Sequence, residues 1–81
     1  MKHRASQRFD REYAALPKIL QRKVEKQVRL LVENIRHPSL RAKKYDETKD
    51  IWQAWMDRKY RLYFTIVGDT YMLISLKRHT D

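Results

Sequence analysis

The hydrophobic positions change period midway along the chain. From Ser6 the apolar residues Phe9, Tyr13 and Leu16 recur at helical spacing, with Ser6 placed to cap the first turn. Pro17 interrupts the pattern and suits the first position of a second helix, where its missing N–H would go unused anyway. Leu20, Val24, Val28, Leu31 and Ile35 then form one stripe at spacings of three and four, with Lys18, Arg22, Lys26 and Arg29 off it. Asn34 and the His37-Pro38 pair end this helix, because the residue before a proline is disfavoured in the helical region. The first half is therefore predicted to be a helical hairpin with one apolar and one basic face. A short edge strand over residues 1–5 precedes it.

After residue 50 the period becomes two. Segments 51–56, 60–67 and 70–77 are rich in β-branched and aromatic residues. Asp57-Arg58-Lys59 and Val67-Gly68-Asp69 separate them, and Gly68 accepts the positive φ of a hairpin turn. Connections this short predict an antiparallel meander. On the middle strand Tyr60, Leu62, Phe64 and Ile66 share one face, while Arg61, Tyr63, Thr65 and Val67 share the other. On the last strand Met72, Ile74 and Leu76 oppose Tyr71, Leu73, Ser75 and Lys77, and the purely aliphatic set is assigned to the helix-covered core. The predicted fold is α+β, an N-terminal helical hairpin packed on a twisted antiparallel sheet, in a single domain over residues 1–81.

Composition narrows the chemistry. With 81 residues the chain lies near the lower limit for a self-sufficient core. The absence of cysteine excludes a disulfide scaffold, a thiolate zinc site and a cysteine nucleophile. Three scattered histidines lack metal-ligand spacing, and no P-loop, glycine-rich nucleotide motif or nucleophilic-serine signature is present, so neither metal nor cofactor is expected. No apolar run is long enough to cross a membrane, and the expected location is the cytoplasm. The net charge is +9, and it is concentrated: residues 1–44 hold thirteen basic and four acidic residues, whereas the rest are balanced six to six. Such a field suits a polyanion or an acidic protein partner.

Strand alternation gathers candidates on the sheet face away from the helices. Arg61, Lys77 and His79 share that side with Gln53 and Trp55, and the Arg41-Ala42-Lys43-Lys44 run approaches its rim. Phosphates bind such cations, and unstacked bases bind such rings. Trp55 and Tyr63 are candidates for base stacking or for contact with a partner protein. Trp52, of inward parity, is assigned to the core. Arg61 has a plainer alternative, an ion pair with Asp57 or Asp69. His3 and His37 are read as structural or surface groups.

Leu16-Pro17, His37-Pro38-Ser39-Leu40-Arg41-Ala42-Lys43-Lys44, Ile51-Trp52-Gln53-Ala54, Tyr60-Arg61-Leu62-Tyr63-Phe64 and His79 near the end follow one another in an order that resembles the RelE/ParE superfamily of bacterial toxins. The resemblance spans nearly the whole chain. It implies a microbial-ribonuclease-like domain acting as the toxin of a type II toxin–antitoxin system, held inactive by a cognate acidic antitoxin. In the RelE-like branch it further implies an endoribonuclease that cuts mRNA in the 30S ribosomal A site and so inhibits translation. The arginine of the family's tyrosine-arginine pair maps to Arg61, and the position after the last strand maps to His79, with Arg78 beside it. Arg61 would then stabilise charge on the phosphate and His79 would transfer protons, as an imidazole titrating near neutrality can. Arg41, Lys43, Lys44, Lys77 and Arg78 would hold RNA or phosphate, and Glu47 is the nearest guess for a carboxylate base. Trp55 stands where many relatives carry a basic residue, and the sequence stops at Asp81 without the tyrosine that stacks on the substrate base in many of them. The alternatives are a ParE-like toxin that poisons DNA gyrase without catalysis and a plain nucleic-acid-binding module.

Overall fold

In the computed structural model, which describes residues 1–79, Ser6 starts the first helix as its side chain predicts. Its Oγ accepts the Phe9 N–H at 3.0 Å and donates to the Ile74 carbonyl at 2.6 Å. Strand β1 (Lys2–Ala5) precedes helix α1 (Gln7–Ala14), and α2 follows (Lys18–Glu33). Pro17 sits one position earlier than expected, as the residue capping α2, with φ −58° and ψ 153°. Asn34 ends α2, and Pro38–Leu40 form a 3₁₀ turn whose first free N–H, that of Ser39, is taken by His37 Nδ1 at 3.2 Å.

Strands β2 (Lys43–Asp46), β3 (Ile51–Trp55), β4 (Tyr60–Val67) and β5 (Thr70–Arg78) complete a five-stranded sheet in the order β1-β5-β4-β3-β2. The β3-β4-β5 meander and the α+β architecture are as expected. The sheet is mixed, because β1 joins β5 in parallel. Strand β2 is an addition: Lys-Lys-Tyr-Asp has little strand propensity, and pairing with Ile51–Gln53 imposes the extended form, with a bulge at Tyr45.

The face assignment of the last strand needs correction. Phe64 pairs with Leu73 but Tyr63 pairs with Ser75, so Ile74 is an extra residue that shifts the alternation by one. Tyr71 and Leu73 therefore face the core, 3% and 1% exposed, together with Leu76 beyond the bulge, while Met72 and Ile74 are left half-buried. Of the predicted inward set only Leu76 faces in. The bulge lies where the neighbour of β5 changes. Strand β1 ends at Ala5, opposite Leu73, and Ser6 then bonds the carbonyls of Leu73 and Ile74. Further along, Glu12 of α1 accepts the Leu76 N–H at 3.0 Å.

The core lies between the helices and one sheet face, with Phe9, Val24, Val28 and Leu31 meeting Leu40, Ala54, Met56, Leu62 and Phe64. Phe64 meets Tyr71 edge-on, with ring centroids 5.6 Å apart, and lies nearly parallel to Trp52 at 6.2 Å, which puts Trp52 against the core as its parity predicts. Gln27 interrupts the apolar stripe of α2. Its Nε2 donates to the carbonyls of Trp55 at 2.9 Å and Ser39 at 3.2 Å, so the helix fastens both segments that carry the opposite face.

Candidate nucleic-acid interface

Away from the helices, strand register aligns side chains in rows. One row runs Trp55, Arg61, Lys77; the next runs Lys43, Gln53, Tyr63, Ser75. Arg41 extends the first row. Continuing the β2 register backwards brings it opposite Trp55, and its guanidinium carbon lies 4.0 Å from the ring centroid. The Arg61 guanidinium is also 4.0 Å from that centroid. Trp55 is thus flanked by two cations, one from each side of its strand, each contact worth about 0.5–2 kcal/mol. Arg41 is held there by backbone: it closes the 3₁₀ turn with φ 46° and ψ 41°, a left-handed conformation that costs a non-glycine residue about 1–2 kcal/mol.

Arg61 makes neither of the ion pairs considered for it. The Asp57 carboxylate accepts the N–H groups of Lys59 and Tyr60 and lies 3.9 Å from Lys23, while Asp69 faces Lys2. The Nη1 of Arg61 instead donates to the carbonyls of Asp57, Tyr60 and Arg58, at 2.9, 3.1 and 3.3 Å. The side chain is only 4% exposed, yet no buried polar atom among the described residues lacks a partner. Its Nε and Nη2 edge makes no hydrogen bond among the described residues. The turn holds one end of the guanidinium, leaving a fixed two-pronged donor of the shape a phosphate accepts.

His79 follows the end of β5. Its backbone N–H donates to the Lys59 carbonyl, which brings it beside the same β3–β4 turn, and its side chain is exposed. Lys77 pairs with Arg61 and is exposed, as is Lys43 beside Gln53. Two of the anticipated cations stand elsewhere. Arg78 pairs with Tyr60, on the parity of Leu62 and Leu76, so it belongs to the rim of the helix-covered side. Lys44 pairs with Trp52, and its Nζ bonds Asp50 and lies 4.0 Å from Glu47; the Asp50 bond holds its pKa above the usual lysine value. Glu47 lies in the β2–β3 turn, at the opposite end of β3 from Trp55, which separates it from the Arg61 row.

Tyr63 and Tyr45 meet edge to face, with centroids 4.9 Å apart. Burial, and then the neighbouring Tyr45 phenol, raise the Tyr63 hydroxyl above its ordinary pKa of 10, against an opposing pull from Arg61. Tyr63 therefore stays a neutral hydrogen-bond donor through the physiological range. Sequence reasoning passed over Tyr45 because β2 was not foreseen. Gln27 did carry a signal, a polar residue on the stripe between Val24 and Leu31.

Among the described residues no helix is long and apolar enough to cross a membrane, and no three His, Asp or Glu side chains form a metal-holding group. No protein-family model and no curated protein matches the sequence. Solved structures do match. The YoeB/ParE toxin from Agrobacterium tumefaciens aligns with a TM-score of 0.82 over 99% of this chain and 100% of that one, at 12% identity. The intact E. coli RelBE toxin–antitoxin complex gives 0.76 at 16% identity, over 99% and 98%. The archaeal RelE–RelB complex from Pyrococcus horikoshii OT3 gives 0.75 at 18% identity, over 95% and 92%. Agreement at such low identity lies in the course of the backbone, and by that measure the chain has the fold of the RelE/ParE toxins.

Proposed function

We propose that this chain is the toxin of a toxin–antitoxin pair and a metal-independent endoribonuclease that cuts mRNA on the ribosome. The observation that carries the reading is the row Arg41, Trp55, Arg61, Lys77, with His79 beside the turn at its end. RNA brings its own nucleophile, the 2′-OH. Cleavage then needs a cation where negative charge builds on phosphorus, and groups to move protons at the 2′- and 5′-oxygens. The open edge of Arg61 supplies the first, and His79 transfers a proton. Trp55 offers a stacking surface for the base beside the scissile phosphate, and Lys43 and Lys77 hold the backbone. The exposed Lys18, Arg22, Lys26 and Arg29 of α2 add a general attraction for ribosomal RNA.

The similar RelBE and RelE–RelB structures are complexes, and the charge of this chain favours a partner of the same kind. An acidic antitoxin would associate by electrostatic steering and anchor apolar residues in the groove of about 420 Å³ between α1, α2 and β1, whose lining includes half-buried Tyr13 above the buried Phe9, Val24 and Val28.

Single-turnover cleavage of ribosome-bound mRNA tests the reading. Arg61→Ala and His79→Ala, each confirmed as folded by circular dichroism, are expected to slow cleavage by about 100-fold or more. Wild-type rates in both variants would remove these residues from the mechanism. A wild-type chain that leaves mRNA intact and blocks gyrase supercoiling would replace cleavage with gyrase poisoning.

A further inference from the structure

The second row of the open face leads into a groove that the cleavage chemistry does not use. It has a volume of about 310 Å³, and its lining includes Tyr45, Tyr63, Ile74, Arg8, Lys49 and Lys77. Two rings and two isoleucines, Ile51 and Ile74, give it apolar walls, and three cations stand around them. Arg8 lies 3.6 Å from Glu12, whereas Lys49 and Lys77 make no ion pair among the described residues. Tyr45 is 61% exposed, so its ring is accessible. Beside the groove, Gln53 is cross-strand to Tyr63 and only 7% exposed.

We propose that this groove is a second nucleotide subsite, which holds the base next to the one on Trp55 against the Tyr45–Tyr63 pair and its phosphate on Lys77 and Lys49. The inference rests on the RNA reading above. Continuity decides for RNA over an acidic peptide. Lys77 is both the cross-strand partner of Arg61 and a wall of the groove, so one backbone passing Arg61 meets Lys77 next. The Trp55 and Tyr63 rows lie two residues apart along the strands, about 6.6 Å, a step that suits consecutive unstacked bases better than stacked ones. The rings match the π-faces of bases, a surface that carboxylate side chains lack.

Equilibrium binding of 2′-O-methyl oligoribonucleotides, which cannot be cut, tests the proposal. The wild-type chain is expected to bind a trinucleotide about tenfold more tightly than a dinucleotide, the gain of one stacked base. Tyr45→Ala, at an exposed position, should erase that gain and leave dinucleotide binding unchanged, and Lys49→Ala should reduce it. A full length-dependent gain in both variants would overturn the subsite and leave the RNA reading standing. Wild-type protein that binds no oligonucleotide would overturn both. Displacement of a hexaglutamate peptide by Tyr45→Ala, with trinucleotide binding unaffected, would reassign the groove to an acidic peptide.

Discussion

Both faces of the sheet hold buried side chains, by different means. Toward the helices, Leu62, Phe64, Leu73 and Leu76 are covered by apolar groups of α1 and α2, and the stabilisation is non-directional. Away from them, Arg61, Gln53 and Ser75 are also nearly covered. There the cover comes from rings, cations and backbone carbonyls. An apolar face can be repacked with other side chains of similar volume, whereas a face assembled from directional contacts holds each group in one orientation. The contrast separates the part that makes the chain fold from the part that presents fixed donors.

Three substitutions probe this contrast. The largest effect is expected from Phe64→Ala, which empties the centre of the apolar face and should cost about 3–5 kcal/mol. Against a total of about 5–15 kcal/mol for a typical domain, that leaves a marginal protein, and urea unfolding measures it. Arg61→Lys is intermediate. A lysine cannot bond the turn and present a second edge at once, so stability should fall by about 1–2 kcal/mol. Cleavage should fall much further under conditions where the variant is fully folded, and a cleavage loss no larger than the stability loss would make Arg61 a turn clamp alone. Arg41→Gly is the smallest and tests opposite signs. Glycine relieves the left-handed strain at φ 46° but removes a cation from Trp55. The melting temperature should hold or rise by a few degrees while affinity for RNA drops, and a fall in both would show that the ring contact outweighs the strain.

The helical hairpin and the meander were legible because their signals are local. Stripe spacing, Ser6, Gly68 and runs of β-branched residues act within a few positions. Parity also placed Trp55, Arg61 and Lys77 in one row. What escaped depends on distant partners. Strand β2 exists because Ile51–Gln53 offers it a ladder, and the bulge at Ile74 is set by β1 and α1 from the other end of the chain. Lys44 and Arg78 looked like site cations in the linear sequence, but each occupies the parity of the covered face. The three carbonyls gathered on Arg61 belong to a turn whose shape no residue pattern announces.

The extra residue at Ile74 also divides β5 for anyone wishing to remodel the molecule. Upstream of it, odd-numbered positions face the helices; downstream, even-numbered ones do. The core can therefore be repacked around Tyr71 and Leu73 without altering the side-chain register of Ser75 and Lys77. Removing the extra residue at the bulge would merge the two halves into a single alternation that still turns Tyr71, Leu73 and Leu76 toward the core. The joint lets one strand serve two masters, and a residue inserted or deleted elsewhere in the strand would reverse the facing of the side chains between that point and the joint.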